Sequence, residues 1–240
     1  VLQSMPDNKP MIDRTGAVPK LNSTLKISDQ LLHSLGKSAN ENWQLGSQEL
    51  QQVSEGLSVA FNRVNEFREN RSKDTSDGRA YSEHEQAFQE TAFSRYQDLV
   101  KTFADNHSLD YTKAVELFAN CAAQVPIPFT NIGGGTHVSG KDSNSTLYRE
   151  AKEYSDKNGM SELLRSSFSE AKEGRLNFLD AEHQSDTKSI TALMGDTESQ
   201  MHSAQVHVSH AKAYQEQASL VQQQALQIDQ DLSPKYWSDL

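Results

Sequence analysis

The chain has 240 residues, a net charge of −10, and an apolar share of 35 % without glycine and about 40 % with it. That share lies below the ~45–50 % of ordinary globular domains, so a thin-cored, elongated helical protein fits it better than a compact sphere. The negative balance excludes non-specific nucleic-acid binding, which needs lysine and arginine to displace counterions from phosphates, and it disfavours an anionic lipid surface.

Glutamate, glutamine, serine, alanine, leucine and lysine dominate and there are only six prolines, which favours helix over sheet. Cys121 is the one cysteine. No intrachain disulfide can form, and within LFANCAA the thiol reads as a small buried hydrophobe, which leaves the redox compartment open. No run reaches the ~18 apolar residues of a membrane helix. The least polar stretch, LFANCAAQVPIPF, is broken by Asn120, Gln124 and two prolines. The opening VLQSMPDNKPMIDRTGAVPK has neither the charged start nor the apolar middle of a signal peptide, and reads as part of a longer protein whose membrane anchor would lie elsewhere.

In chain order, residues 1–20 carry three prolines and no period, and are expected to be a linker or mobile arm. From Leu21 to about Arg71 the positions Leu25, Leu32, Leu35, Ala39 and Trp43, then Leu50, Val53, Leu57, Ala60, Val64 and Phe67, trace the apolar stripe of a long helix. Gly36, Gly46 and Gly56 are possible breaks in it. NRSKDTSDGR reads as a turn. Ser82 and Glu85 then form a capping box ahead of a helix carrying Phe88, Ala92, Tyr96, Leu99 and Phe103, and the short connection predicts an antiparallel hairpin. A shorter helix over 108–123 is expected to start on Ser108 and to bury Val115, Phe118 and Ala122.

Residues 125–141, VPIPFTNIGGGTHVSGK, interrupt the helical pattern as an extended crossover or a pair of short strands. Helix resumes with Leu147, Ala151 and Tyr154 until Asn158 and Gly159, and again from Ser161 through Leu164, Phe168, Ala171 and Phe178. The last helix, about 197–232, shows a heptad seam: Ala204, Ala211, Ala218, Ala225 and Leu232 form one column, and His207, Tyr214, Val221 and Ile228 a second, three places on. Ser233 and Pro234 are expected to stop it, leaving 233–240 as a tail. The expected organisation is therefore all-α. It consists of antiparallel helical hairpins or coiled coil over 21–124 and 142–232, joined by the glycine-rich segment 125–141.

GTHVSGKDS comes within one residue of a phosphate-binding loop, G-x-x-x-x-G-K-[ST]. Asp142 stands where the magnesium-holding hydroxyl belongs, although Ser143 is one step away. Pro126 and Pro128 precede the motif where a buried strand is required. A turning connection therefore fits better than a nucleotide site. His207 and His210 have metal-ligand spacing, with His202 nearby, but no third ligand is fixed by sequence, and His84 between two glutamates reads as a solvated face. Glu150 with Glu153, and Glu170 with Glu173, are spaced as on any charged helix surface rather than across a glycosidase cleft. No catalytic residue, metal or cofactor is expected.

The order of the parts is more informative. HSLDYTKAVELFANCAA, PFTNIGGGTHVSG, EAKEYSDKNGMSELLRSSFSEA and HAKAYQEQA, in that order, resemble the C-terminal region of the TraG family over roughly residues 21–232. TraG proteins serve conjugative transfer in F-like type IV secretion. The resemblance implies an inner-membrane-anchored parent protein, with this part in the periplasm or, as an alternative, in the cytoplasm. It also implies a role in mating-pair stabilisation and in entry exclusion, through recognition of a recipient's exclusion protein, and it carries over no catalytic residues.

The expectation is a non-enzymatic recognition and scaffolding domain with protein partners. Candidate contacts are the exposed tip Lys73, Asp74, Thr75, Ser76, Asp77, Gly78 and Arg79, and the aromatic pair Tyr236 and Trp237. A self-associating coiled coil, burying the alanine seam between chains, is the alternative; an envelope-associated enzyme is a weaker one.

Overall fold

A computed structural model describes the backbone of residues 4–73, 78–125, 143–176 and 184–238, and most side chains between 26 and 228 within those stretches. Among the described residues seven helices follow in order: α1 (Ser4–Lys73), α2 (Gly78–Gln89), α3 (Ala92–Asn106), α4 (Tyr111–Ala122), α5 (Ser143–Asn158), α6 (Met160–Lys172) and α7 (Gln184–Ser238). The described residues contain no strand, so the fold is all-α. All but Val125 of the expected interruption 125–141 lies outside the described residues.

Two compact units form, one from Val1–Trp43 with Ser209–Leu240 and the other from Gln44–Val208. α1 and α7 each contribute residues to both units.

Several boundaries differ from the sequence reading. Residues 4–20, expected as a linker, belong to α1. Pro6 falls in the first turn, where its missing N–H has no helical acceptor to lose, and Pro10 and Pro19 each forfeit one backbone bond without ending the helix. The tail likewise belongs to α7, which passes Pro234 and ends at Ser238. That helix begins at Gln184, thirteen residues before the expected start at 197. Gly36, Gly46 and Gly56 do not break α1.

In the Gln44–Val208 unit α1 and α7 run antiparallel. His207 Nδ1 lies 2.9 Å from Glu49 Oε1, and Arg63 Nη1 donates to Ser189 Oγ at 2.7 Å. Between these contacts, a methyl group on Gly56 would sit 2.4 Å from Thr197 Oγ1, so glycine here sets the helix separation.

One seven-residue column faces inward on each helix: Ala39, Gly46, Val53 and Ala60 on α1, and Ile190, Thr197, Ala204 and Ala211 on α7 are buried. Its companion column lies four residues on, at Trp43, Leu50, Leu57 and Val64, and at Met194, Met201 and Val208. The second seam column expected at His207 is thus displaced by one residue to Val208. Only below Ala39 and above Ala211 do the inward residues fall three places on, as half-buried Leu35, Tyr214, Val221 and Ile228. A companion at four rather than three residues turns the centre of the stripe by about 50° at ~100° per residue. Bundle packing in the Gln44–Val208 unit accounts for that turn, since α1 and α7 there face other helices as well as each other.

Phe61 of α1 is fully buried, with ring centroids of Phe93 at 4.9 Å, Tyr96 at 6.2 Å and Tyr111 at 6.2 Å. α3 carries most of the rest, packing against α6 and α4. Phe103 meets Phe118 edge-on at 5.1 Å and Tyr154 at 5.3 Å, while Tyr154 donates its hydroxyl proton to Leu99 O at 3.1 Å.

The helix expected from Ser82 to Phe103 is two helices. Thr91 caps α3 by accepting from Ser94 N at 3.1 Å, and Glu170 of α6 reaches across to accept from Ala92 N at 2.9 Å and Phe93 N at 3.4 Å. The expected capping box fails because α2 starts at Gly78, placing Ser82 inside it, and Glu85 instead pairs with Arg68 of α1.

Ser108 does not cap α4. It adopts φ 49° at the end of α3, where Leu109 N closes onto Ala104 O at 2.8 Å. Gln124 (φ 59°) and Gly174 (φ 70°) end α4 and α6 with the same wrap, Val125 N to Asn120 O at 3.0 Å and Arg175 N to Glu170 O at 2.9 Å. α6 therefore stops at Lys172, and Phe178 lies outside the described residues.

Two backbone donors and the positive end of α3 depend on the Glu170 carboxylate. Glu170→Ala is expected to cost about 1–2 kcal/mol of unfolding free energy, read from the midpoint of a urea titration. Glu170→Gln, which keeps the acceptor but not the charge, should lose less.

Candidate functional site

Among the described residues a groove of about 370 Å³ lies in the Gln44–Val208 unit between α6 and α7. Its α7 wall is Glu198, Met201, His202 and Gln205, whose spacing of three, one and three places them on one helical face. Its α6 wall starts directly after Gly159, whose left-handed backbone (φ 60°) turns the chain from α5 into α6. Leu164, Phe168 and Met201 make an apolar floor, each at most 5 % exposed.

The rim is polar and of mixed sign. Arg165 pairs with Glu162 one turn earlier, and both are largely exposed, at 75 % and 64 %. Lys172 Nζ lies 2.8 Å from Glu198 Oε2 across the groove, and Gln205 Nε2 donates to Ala122 O of α4 at 3.4 Å. These two cross-links tie α7 to α6 and α4, so the walls are held by the scaffold rather than by loops.

The sequence candidates fall differently. Lys73, Gly78 and Arg79 lie on the end of α1 and the start of α2, and Tyr236 and Trp237 on the last turns of α7, but the side chains of all five lie outside the described residues. Asp74, Thr75, Ser76 and Asp77 lie outside them altogether, as does all of GTHVSGKDS but the backbone of Ser143. The three helix histidines do not converge. His202 lines the groove, His207 meets Glu49, and His210 is exposed. Among the described residues no three metal-ligating side chains come together. The paired acids also separate, with Glu150 Oε2 at 3.0 Å from His107 Nε2 and Glu170 capping α3. No described helix is long and apolar enough to cross a membrane.

Cys121 is buried, and burial pushes its thiol up from an ordinary 9.0 to about 12. Burial also raises the phenols of Tyr96, Tyr111 and Tyr148 well above their ordinary 10.0. These groups stay protonated in the folded chain while the unfolded chain ionises them first. Their contribution to stability is whole below about pH 9 and is lost as pH rises beyond it. A melting temperature that is level through these groups' range up to about pH 9 and then falls is expected from thermal scans at stepped pH. Cys121 should resist iodoacetamide at pH 7.5 in the native state and react once the chain is unfolded in urea.

No family model, no curated protein and no solved structure matches the chain.

Proposed function

We propose that this chain is a non-enzymatic protein-recognition and scaffolding domain, with the α6–α7 groove as a contact for a partner. The observation that carries this reading is the groove's make-up: an apolar floor of Leu164, Phe168 and Met201 under a rim holding Glu162, Arg165, Glu198 and His202. Such a surface takes a protruding apolar side chain into its floor and selects the partner by charge at its rim.

The resemblance to TraG supplies the biological setting. There the partner is the exclusion protein of a recipient cell, together with other components of the conjugation apparatus. The domain then belongs to an inner-membrane-anchored protein and works in mating-pair stabilisation and exclusion, in the periplasm or alternatively in the cytoplasm. The 73–79 tip, Tyr236 and Trp237 remain candidate contacts within this proposal.

Arg165→Glu and His202→Glu change exposed rim charges without touching the floor, so folding should be unaffected. Introduced into the parent protein, the pair is expected to lower mating-pair stability or exclusion about tenfold, the effect of ~1.4 kcal/mol at an interface. Unchanged values of both would remove the groove from the function.

A further inference from the structure

The alanine seam does not hold two chains together where it is deepest, because Ala204 and Ala211 are fully buried within the single chain. A different surface is left open in the Val1–Trp43 and Ser209–Leu240 unit. There the inward residues Leu32, Leu35, Tyr214, Val221 and Ile228 are only half-buried, whereas Leu50, Val53 and Leu57 of the other unit are at most 2 % exposed. Beside them on α1 lies a stripe at spacings of four, three and four: Ile27, Leu31, Ser34 and Ser38. Ile27 and Leu31 are 63 % and 45 % exposed.

Two properties of this stripe say what covers it. First, it has two large residues followed by two small ones. A copy of the same helix laid antiparallel about a midpoint between His33 and Ser34 sets Leu31 level with Gly36 of the copy, between Ser34 and Ser38, and Ile27 level with Asn40, just beyond Ser38. Leu31 thus meets small residues on both sides, as interdigitated helix packing requires. Secondly, Lys26, Gln30, Lys37 and Glu41 run along one edge of the stripe. In that same register Lys26 stands level with Glu41 of the copy and Gln30 with Lys37, so opposite charges meet twice and like charges never do. Neither Lys26 nor Glu41 is engaged in an ion pair among the described residues.

We infer that this stripe is a self-association surface on which a second copy of the chain docks, its α1 antiparallel to the first. The inference stands on α1 and is independent of the partner groove. The contact along Lys26–Trp43 is ~27 Å long and ~10 Å wide, which removes roughly 500–600 Å² in total. That is about half the ~1,000–1,200 Å² lower limit of specific interfaces, so the dimer is weak and reversible.

Sedimentation equilibrium of the whole chain from about 1 to 500 µM in low salt tests this. The wild type is expected to pass from monomer to dimer across that range. Lys26→Glu and Glu41→Lys should each raise the dimer dissociation constant about tenfold, since each turns two attractive pairs repulsive. The double variant, with the charges exchanged, should return it to within about threefold of wild type, and Leu31→Glu should abolish the dimer. All three positions are exposed, and circular dichroism of each variant checks that the helices persist. A wild type that stays monomeric throughout, or a dimer unmoved by the single reversals, or a double variant as weak as the singles, would overturn the proposal.

Discussion

Replacing Phe61 with alanine is expected to lower the unfolding free energy by about 3–5 kcal/mol, the largest loss from any single side chain discussed. Phe61 is wholly buried and its ring touches aromatic residues from both α3 and α4, with Phe93 the nearest. Removing it opens a cavity whose walls belong to three helices that are each fixed by other contacts, so the site cannot collapse to fill it. Phe61→Leu keeps most of the volume and should cost about 1–1.5 kcal/mol. Urea titration separates the outcomes: a shifted midpoint with an unchanged slope reports lost stability alone. A loss below ~1 kcal/mol for the alanine variant would mean that α1 does not pack against α3 and α4 through this ring.

The second large effect arises where a residue is absent. Gly56→Ala should destabilise by about 1–3 kcal/mol, although alanine is favoured over glycine inside a helix by ~1 kcal/mol. The new methyl would meet Thr197 Oγ1 at 2.4 Å, and Thr197 is buried with its hydroxyl committed to Leu193 O at 2.7 Å. Either the hydroxyl turns away from its acceptor or the two long helices separate. Thr197→Ala removes the obstructing atom, so the double variant Gly56→Ala, Thr197→Ala should recover most of the loss. A coupling of about 1–3 kcal/mol is expected in the double-mutant cycle, and additive effects would show that α1 and α7 do not approach at this level.

Gly56 also shows where the sequence was legible and where it was not. The stripe from Leu50 to Val64 identified the inward face of α1, because alternating spacings of three and four need only local periodicity to be seen. A glycine in that stripe reads locally as a weak point. Its role as a spacer depends on Thr197, 141 residues away, and no local rule reaches that far. The break between α2 and α3 was hidden similarly. Thr91 is a good cap residue, but the aromatic period runs unbroken across it, and the second capping group, Glu170, comes from α6.

Helix ends are legible at Gly159 but not at Gly174, where the apolar pattern runs on past the end of α6, nor where residues other than glycine make them. Gly159 was found; Ser108 and Gln124, which adopt the same left-handed backbone at φ 49° and 59°, were not, since nothing in either residue type announces it. On α7 the alanine column is buried at Ala204 and Ala211 and half-buried at Ala218 and Ala225, whereas its companion at His207 is displaced by one residue to Val208. His207 is only partly buried, and its ring is turned to Glu49. The groove is not legible in the sequence for a different reason. Its polar residues look like any charged helix surface, and only the packing of α6 beside α7 places an apolar floor beneath them.

Recognition of a protein partner is the central claim, and direct capture tests it. The chain, immobilised at moderate salt, is offered the cognate exclusion protein and a non-cognate one at equal concentration, with the Arg165→Glu, His202→Glu variant in parallel. Selective retention of the cognate protein by the wild type, reduced about tenfold in the variant, is the expected result. Equal retention of both proteins, or retention of neither, contradicts recognition as the function of this domain.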